Sequence, residues 1–280
     1  MLKRKLTPLV LLLSLAFIGA RCYQYMYLID NTTGYYTPHI FNTLLVVFAS
    51  ACCVFLAAPL LLRRSCFLVD MVRTSSKTFF CMVNLAACLA FAAVTTIGVY
   101  QLATGEKNGI TDILMTVFAL FAVIYFAYIF INGGSPAMGS GMHLCLIGPI
   151  GFSVVRLTMD FNQLTMNANV SGYKYLLLGL SASICFFLMF GRYQLDGTAT
   201  RGAYVFARLT VFLLGAASVS PLIMHFLPGT VYAESVSIVC RFVDVITILY
   251  AWSFISVVRI NDGESVFKRE KEDISVAQKR

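Results

Sequence analysis

The chain has 280 residues, 59% of them hydrophobic and 12% charged, with a formal net charge of +8. A soluble domain carries about 25% charged residues, so a division of this length into soluble domains does not apply and most of the chain belongs in lipid. The basic residues sit between apolar runs rather than on one folded face, which argues against nucleic acid as a partner and for the lipid bilayer.

A basic start, Met1 to Lys5, leads into the apolar run Leu6 to Ile29. That run is long enough to span a bilayer and is read as an uncleaved first helix rather than a signal peptide. The second span runs from about His39 to Leu62 and ends on Arg63 and Arg64, with Arg73 and Lys77 in the loop beyond. The third, about Thr78 to Leu102, is rich in alanine, and small residues let helices approach closely, so it is expected at the centre of the bundle. The fourth covers about Thr111 to Ile131 and the fifth about Gly141 to Met159, the latter interrupted by Gly148-Pro149-Ile150-Gly151. The sixth is about Tyr173 to Gly191. The seventh is about Ala203 to Phe226, interrupted by Ser218, Ser220 and Pro221, and the eighth is about Glu234 to Val258. The expected fold is therefore an all-α integral membrane protein of about eight transmembrane helices spanning residues 1–258, followed by a charged cytoplasmic tail at 259–280.

The basic loop residues fall almost entirely on one side if the N-terminus is inside; the other side holds only Lys107 and Lys174. The positive-inside rule then places both termini in the cytoplasm of a multi-pass protein of the cell membrane. Arg21 and Arg156 occupy similar places late in the first and fifth helices, and similar loops follow. Thr33-Gly34-Tyr35 is matched by Ser171-Gly172-Tyr173, and the loop with Arg64 and Asp70 by the loop with Arg192 and Asp196. This pattern suggests a 4+4 parallel repeat with halves 1–140 and 141–258.

Polar residues gather toward the outer side: Arg21, Gln24, Arg156, Asp160, Arg241 and Asp244 lie within or at the ends of spans. Glu234, Ser237, Arg241 and Asp244 form one stripe at helical spacing, and Arg156 and Asp160 are four apart, so each arginine has a carboxylate within reach on its own helix. Two arrangements fit. Each arginine can snorkel to the headgroups. Alternatively, the arginines of the first, fifth and eighth helices line one outward-facing cavity, and the six residues named form a site for a small polar or anionic solute, since guanidinium forks hold carboxylates and phosphates bidentately. The broken fifth and seventh helices fit the second, because irregular backbone at membrane depth is tolerated where it lines a cavity or is buried in protein.

Enzyme signatures are lacking in the sequence: there is no His-Glu-x-x-His and no Gly-x4-Gly-Lys, and no cofactor is implied. The nine cysteines lie mostly inside apolar runs, without a Cys-x-x-Cys pair, and read as small packing residues rather than a metal site. Asn31-Thr32-Thr33 and Asn169-Val170-Ser171 are glycosylation sequons on the predicted outer loops.

Arg21-Cys22-Tyr23-Gln24 running on to Asp30-Asn31-Thr32-Thr33-Gly34, after a basic start and a Leu-rich helix, resembles the opening of uncharacterised polytopic membrane proteins from clostridial-type bacteria, with Tyr23 standing where those carry Trp. The resemblance covers about the first 35 residues. It implies a bacterial cytoplasmic membrane and assigns no activity. The expected function is a small-solute transporter or permease-like subunit; the alternative is a non-transporting membrane partner, sensory or assembly-related, acting through the basic loop Arg63 to Lys77 or the tail.

Overall fold

The computed structural model describes residues 6–29, 37, 39–61, 67–71, 76–106, 109–132, 142–165, 173–196, 201–227 and 237–262. Both sequons, Glu234, most of the tail and the paired Thr33-Gly34 and Ser171-Gly172 motifs lie outside these residues.

The described chain contains eight helices long and apolar enough to cross a membrane. They comprise α1 (Leu6–Tyr27), α2 (Ile40–Leu61), α3 (Ser76–Ala103), α4 (Ile110–Ile131), α5 (Ile147–Thr165), α6 (Tyr173–Asp196), a composite seventh span, and α9 (Ile238–Val257). Helices are what a lipid-embedded chain must form, because every backbone N–H and C=O has to be satisfied within the segment. At 1.5 Å per residue, a helix of 22 residues such as α4 reaches about the thickness of a bilayer's hydrocarbon core. The protein is a multi-pass, all-α membrane protein. One small departure occurs: β1 (Phe67–Met71) pairs antiparallel with β2 (Val258–Asp262), Val69 opposite Ile260. The first residues beyond α9, expected as part of a solvated tail, are thus tied to the loop that follows α2. Both strands lie at one face of the bundle, as an even number of crossings between them requires.

The centre of the bundle is the seventh span, not the alanine-rich third. Within its apolar stretch 67% of the seventh span is buried, against 33% of the third. The alanines of α3 do allow close packing, on α4 and α9, but its opposite face carries Met82, Leu89 and Val99 outward, where lipid would lie. The seventh span consists of α7 (Arg201–Leu209), a π-helical segment (Thr210–Val219) and α8 (Ser220–Phe226), and it packs on α1, α2, α6 and α9. Ten residues of π-helix is long, since this form usually appears as a single wide turn inside an α-helix.

α6 runs along much of the seventh span, whereas α2 takes its main contacts from α7 rather than from α3.

An aromatic cluster fills one half of the interior. The Tyr250 ring lies 5.3 Å from Phe126, 5.4 Å from Phe80 and 5.7 Å from Phe187, centroid to centroid. Such pairs each contribute about 0.5–1.5 kcal/mol beyond area burial. That matters here because helix association in lipid rests on packing and hydrogen bonds, with little hydrophobic drive.

The Gly-Pro-x-Gly stretch turns out to be a helix start. A 3-10 turn, Met142–Leu146, precedes α5, and Pro149 occupies the first turn of that helix, where its missing N–H would have had no intrahelical acceptor. The two glycines have a packing role: a Cβ on Gly148 would lie 2.3 Å from the backbone N of Ala122, and one on Gly151 would lie 2.5 Å from the Phe118 ring. The expectation that this break lines a cavity is corrected. It brings α5 against α4, and the cavity described below lies at the other end of α5.

Candidate functional site

Arg156, at the middle of α5, and Asp160, one turn further on, project toward the beginning of α9 and are nine-tenths buried or more. Arg156 grips Asp244 of α9 with both prongs of its fork: Nη1 donates to Oδ1 and Nη2 donates to Oδ2 at 2.8 Å. Nη1 also donates to the Cys240 carbonyl at 3.0 Å. The Arg156 Nε is 3.5 Å from Asp160 Oδ2, an ion pair without a hydrogen bond. Arg241, buried at the start of α9, donates from Nη1 to the Ala217 carbonyl at 2.9 Å and to Ser218 Oγ at 3.3 Å. Ser218 Oγ in turn donates to Asp244 Oδ2 at 2.5 Å. Among the described residues, two arginines and two aspartates therefore form a charge-balanced network across α5, α9 and the π segment. Isolated charges at membrane depth cost several kcal/mol each, and only this mutual pairing makes the cluster tolerable.

Pro221 lies close to the carbonyl that Arg241 takes. Proline has no N–H, so it cannot bond the carbonyl four residues back, and its ring crowds that oxygen. The residue four back is Ala217, in the π segment, and its oxygen accepts from Arg241. The irregular seventh helix was expected to line a cavity; instead it is buried in protein and supplies an acceptor to a buried cation. Ser218 carries a measurable consequence. Ser218→Ala removes a donor to Asp244 and an acceptor for Arg241, and bonds to charged groups contribute about 1.5–3 kcal/mol. Ser220→Ala removes the 3.2 Å bond to the Ile18 carbonyl and a weak contact with the Cys22 thiol, nearer 1 kcal/mol. Thermal midpoints of the purified variants should rank wild type, Ser220→Ala, Ser218→Ala, and the reverse order of the two serines would show that the network is not closed through Ser218.

Arg21 and Gln24 belong to a second cluster. Arg21, fully buried, donates to the Gln24 Oε1 and to the Tyr25 hydroxyl. Its guanidinium carbon lies 4.5 Å from the centre of the Tyr25 ring and 5.2 Å from that of Tyr175 on α6. Gln24 Nε2 passes the chain on to Asn42 Oδ1 at 2.7 Å, and Asn42 Nδ2 donates to the Thr37 carbonyl at 2.9 Å. This relay fastens the end of α1 to the start of α2, with the cation held over tyrosine faces.

A cavity of about 160 Å³ opens between the ends of α3 and α5 and the beginnings of α4 and α9. Arg156, Asp160, Asp112, Gln101, Thr116 and Ser237 supply its polar wall. Of the six residues expected to share one cavity, Arg156 and Asp160 stand in this wall. Arg241 and Asp244 lie behind it, joined to Arg156, and Arg21 and Gln24 are in the α1–α2–α6 cluster. The expected arrangement of three arginines around one opening is therefore corrected, and so is snorkelling, since all three are buried in protein. The expected Arg241–Asp244 contact along α9 gives way to a cross-helix pairing with Arg156, and Arg241 reaches Asp244 through Ser218. Sequence reasoning overlooked Asp112 in this role. Its signal was available: a carboxylate in the first turn of the fourth helix lies at the same end as Arg156, which is late in the fifth.

No protein-family model matches the chain, and neither a curated protein nor a solved structure is similar to it.

Proposed function

We propose that the chain is a small-solute permease or permease subunit whose solute enters the cavity walled by Arg156, Asp160, Asp112 and Gln101. The observation that carries this reading is the cavity itself, set against a buried charged network that spans three helices, one of them π-helical. Wide π turns at functional sites are a known device, and here the π segment shares Asp244 with the cavity wall through Ser218 and Arg156. A solute at the wall thus touches a group wired to the central span. The distribution of basic residues supports a cavity facing outward and termini in the cytoplasm, and the resemblance of the first 35 residues supports a bacterial cell membrane.

Cys240 lines the cavity and provides the test. In a variant keeping this cysteine alone, a membrane-impermeant thiosulfonate is expected to label it in both right-side-out and inverted vesicles, because a permease must open to each side in turn. Labelling from one side only would leave a binding protein and remove transport.

The non-transporting alternative retains one favourable observation, the β1–β2 pairing that joins the basic loop to the segment after α9. It calls for a partner that co-purifies with the full chain and is lost when residues 263–280 are deleted, with Cys240 labelling unchanged.

A further inference from the structure

Away from the cavity and from both polar clusters, we infer that Arg208 and Tyr204 of α7 form a site for a phosphate group, either the phosphodiester of a lipid headgroup or free phosphate. Arg208 is 3% exposed and Tyr204 7%. Arg208 Nη2 donates to the Tyr204 hydroxyl at 2.7 Å, and the guanidinium carbon lies 4.0 Å from the centre of the Tyr204 ring. Arg208 Nε is enclosed without an acceptor, and no carboxylate pairs with this arginine among the described residues. Arg156 differs in holding Asp244 directly, and Arg241 in reaching it through Ser218.

A guanidinium stays charged inside a protein and offers five N–H donors but no acceptor. One hydroxyl and one ring face do not neutralise it, and an uncompensated charge in a buried site is strongly unfavourable. A buried polar atom without a partner calls for a water or an ion to complete it. Water would satisfy the Nε–H and leave the charge, whereas an anion answers both. The Tyr204 hydroxyl accepts from Nη2 and keeps its own proton to donate. Guanidinium N–H groups and a phenol O–H are together a donor-only set, the chemistry that holds phosphate oxygens. Depth favours the lipid as the source. Helical side chains lean toward the N-terminus, so Arg208 lies back over Tyr204, which is about 5 Å from the start of α7 at Arg201. The guanidinium is therefore near one end of the span, at the level of headgroups, where tyrosine is enriched. Charge agrees. A phosphodiester carries one negative charge, equal and opposite to that of Arg208, whereas a phosphate that is not doubly esterified carries more than one at neutral pH.

The test uses the full chain, delipidated in a non-ionic maltoside detergent. Its thermal midpoint is followed as dioleoylphosphatidylglycerol, dioleoylglycerol or inorganic phosphate is added at matched ionic strength. Phosphatidylglycerol is expected to raise the midpoint in a saturable way, because a ligand that binds only the folded chain stabilises it by mass action. Dioleoylglycerol, with the same chains and no phosphate, should do little. Arg208→Met should lose the rise, yet without lipid it should be as stable as the native chain or more so, since a buried uncompensated charge has been removed. A purely structural arginine would not give that crossing of order. If Arg208→Met does not fold, Tyr204→Phe, which removes one donor, should need about tenfold more phosphatidylglycerol for half the rise. A rise with inorganic phosphate equal to that with the lipid would support the phosphate site and make its source soluble. Equal rises with dioleoylglycerol and phosphatidylglycerol would overturn the inference. So would an Arg208→Met chain that is less stable without lipid and still responds to phosphatidylglycerol, because a protein carboxylate would then already balance Arg208.

Discussion

Asp244→Ala is expected to cost the protein its fold in the membrane. The carboxylate is the acceptor for both prongs of Arg156 and for Ser218, and through Ser218 it also holds Arg241. Removing it leaves two arginines in a buried network with Asp160 as the remaining carboxylate among the described residues. Losing one partner of a buried pair costs about 3–5 kcal/mol, and folded domains rarely have more than about 5–15 kcal/mol in reserve. Polar hydrogen bonds between membrane helices average well under 1 kcal/mol, so the expected loss comes mainly from the uncompensated charge. The comparison that isolates this cause is Arg156→Met/Asp244→Leu. It removes one charge of each sign and puts apolar groups of similar volume in their place, a change that is often neutral. Monodisperse protein recovered by size exclusion after graded heating should be scarce for Asp244→Ala, intermediate for Asp244→Asn, and better for the double variant than for Asp244→Ala. If Asp244→Ala survives heating as well as the native chain, the charge network does not hold α5, α9 and the seventh span together.

Gly148→Ala should be the second most damaging change, for a different reason. The added methyl would lie 2.3 Å from Ala122 N and 2.5 Å from the Phe121 carbonyl carbon. Both are backbone atoms of α4 and have no rotamer to change, so the two helices must separate. Overpacking of this kind costs about 1–3 kcal/mol, and separation also loosens dispersion contacts along the whole α4–α5 seam. The atoms nearest a Cβ on Gly151 belong to the Phe118 ring, a side chain that can rotate, so Gly151→Ala should be milder. Gly19→Ala is the control. Nothing lies within 4 Å of a Cβ there, and alanine is the better helix residue by about 0.5–1 kcal/mol, so stability should hold or rise slightly. The thermal midpoints of the three variants in one detergent decide it. Equal values for Gly148→Ala and Gly19→Ala would mean that α5 does not approach α4 as closely as described.

The contrast between these two sites shows what could be read early. That the fifth helix carried something unusual was visible in Gly148, Pro149 and Arg156. The two anomalies have unrelated causes, though: one lies in the first turn of the helix and the other at its middle. Pro149 starts the helix and Gly148 packs it, while Arg156 belongs to the charge network. A sequence pattern marks an expensive residue without saying which neighbour offsets the expense.

By itself the sequence determined the class of the protein and the positions of its spans, because transfer of a segment into lipid depends on that segment's own residues and on satisfying its own backbone. It also determined that Arg21, Gln24, Arg156, Asp160, Arg241 and Asp244 would need partners, since a polar group in hydrocarbon is costly wherever it sits. Which partner each one takes was decided only by the tertiary structure. Arg156 lies four residues from Asp160 along one helix, yet gives its fork to Asp244, far away in sequence. Arg241 takes the Ala217 carbonyl, on another helix. Helical spacing specifies which residues share a face, but the neighbour that this face meets depends on packing between segments far apart in the chain.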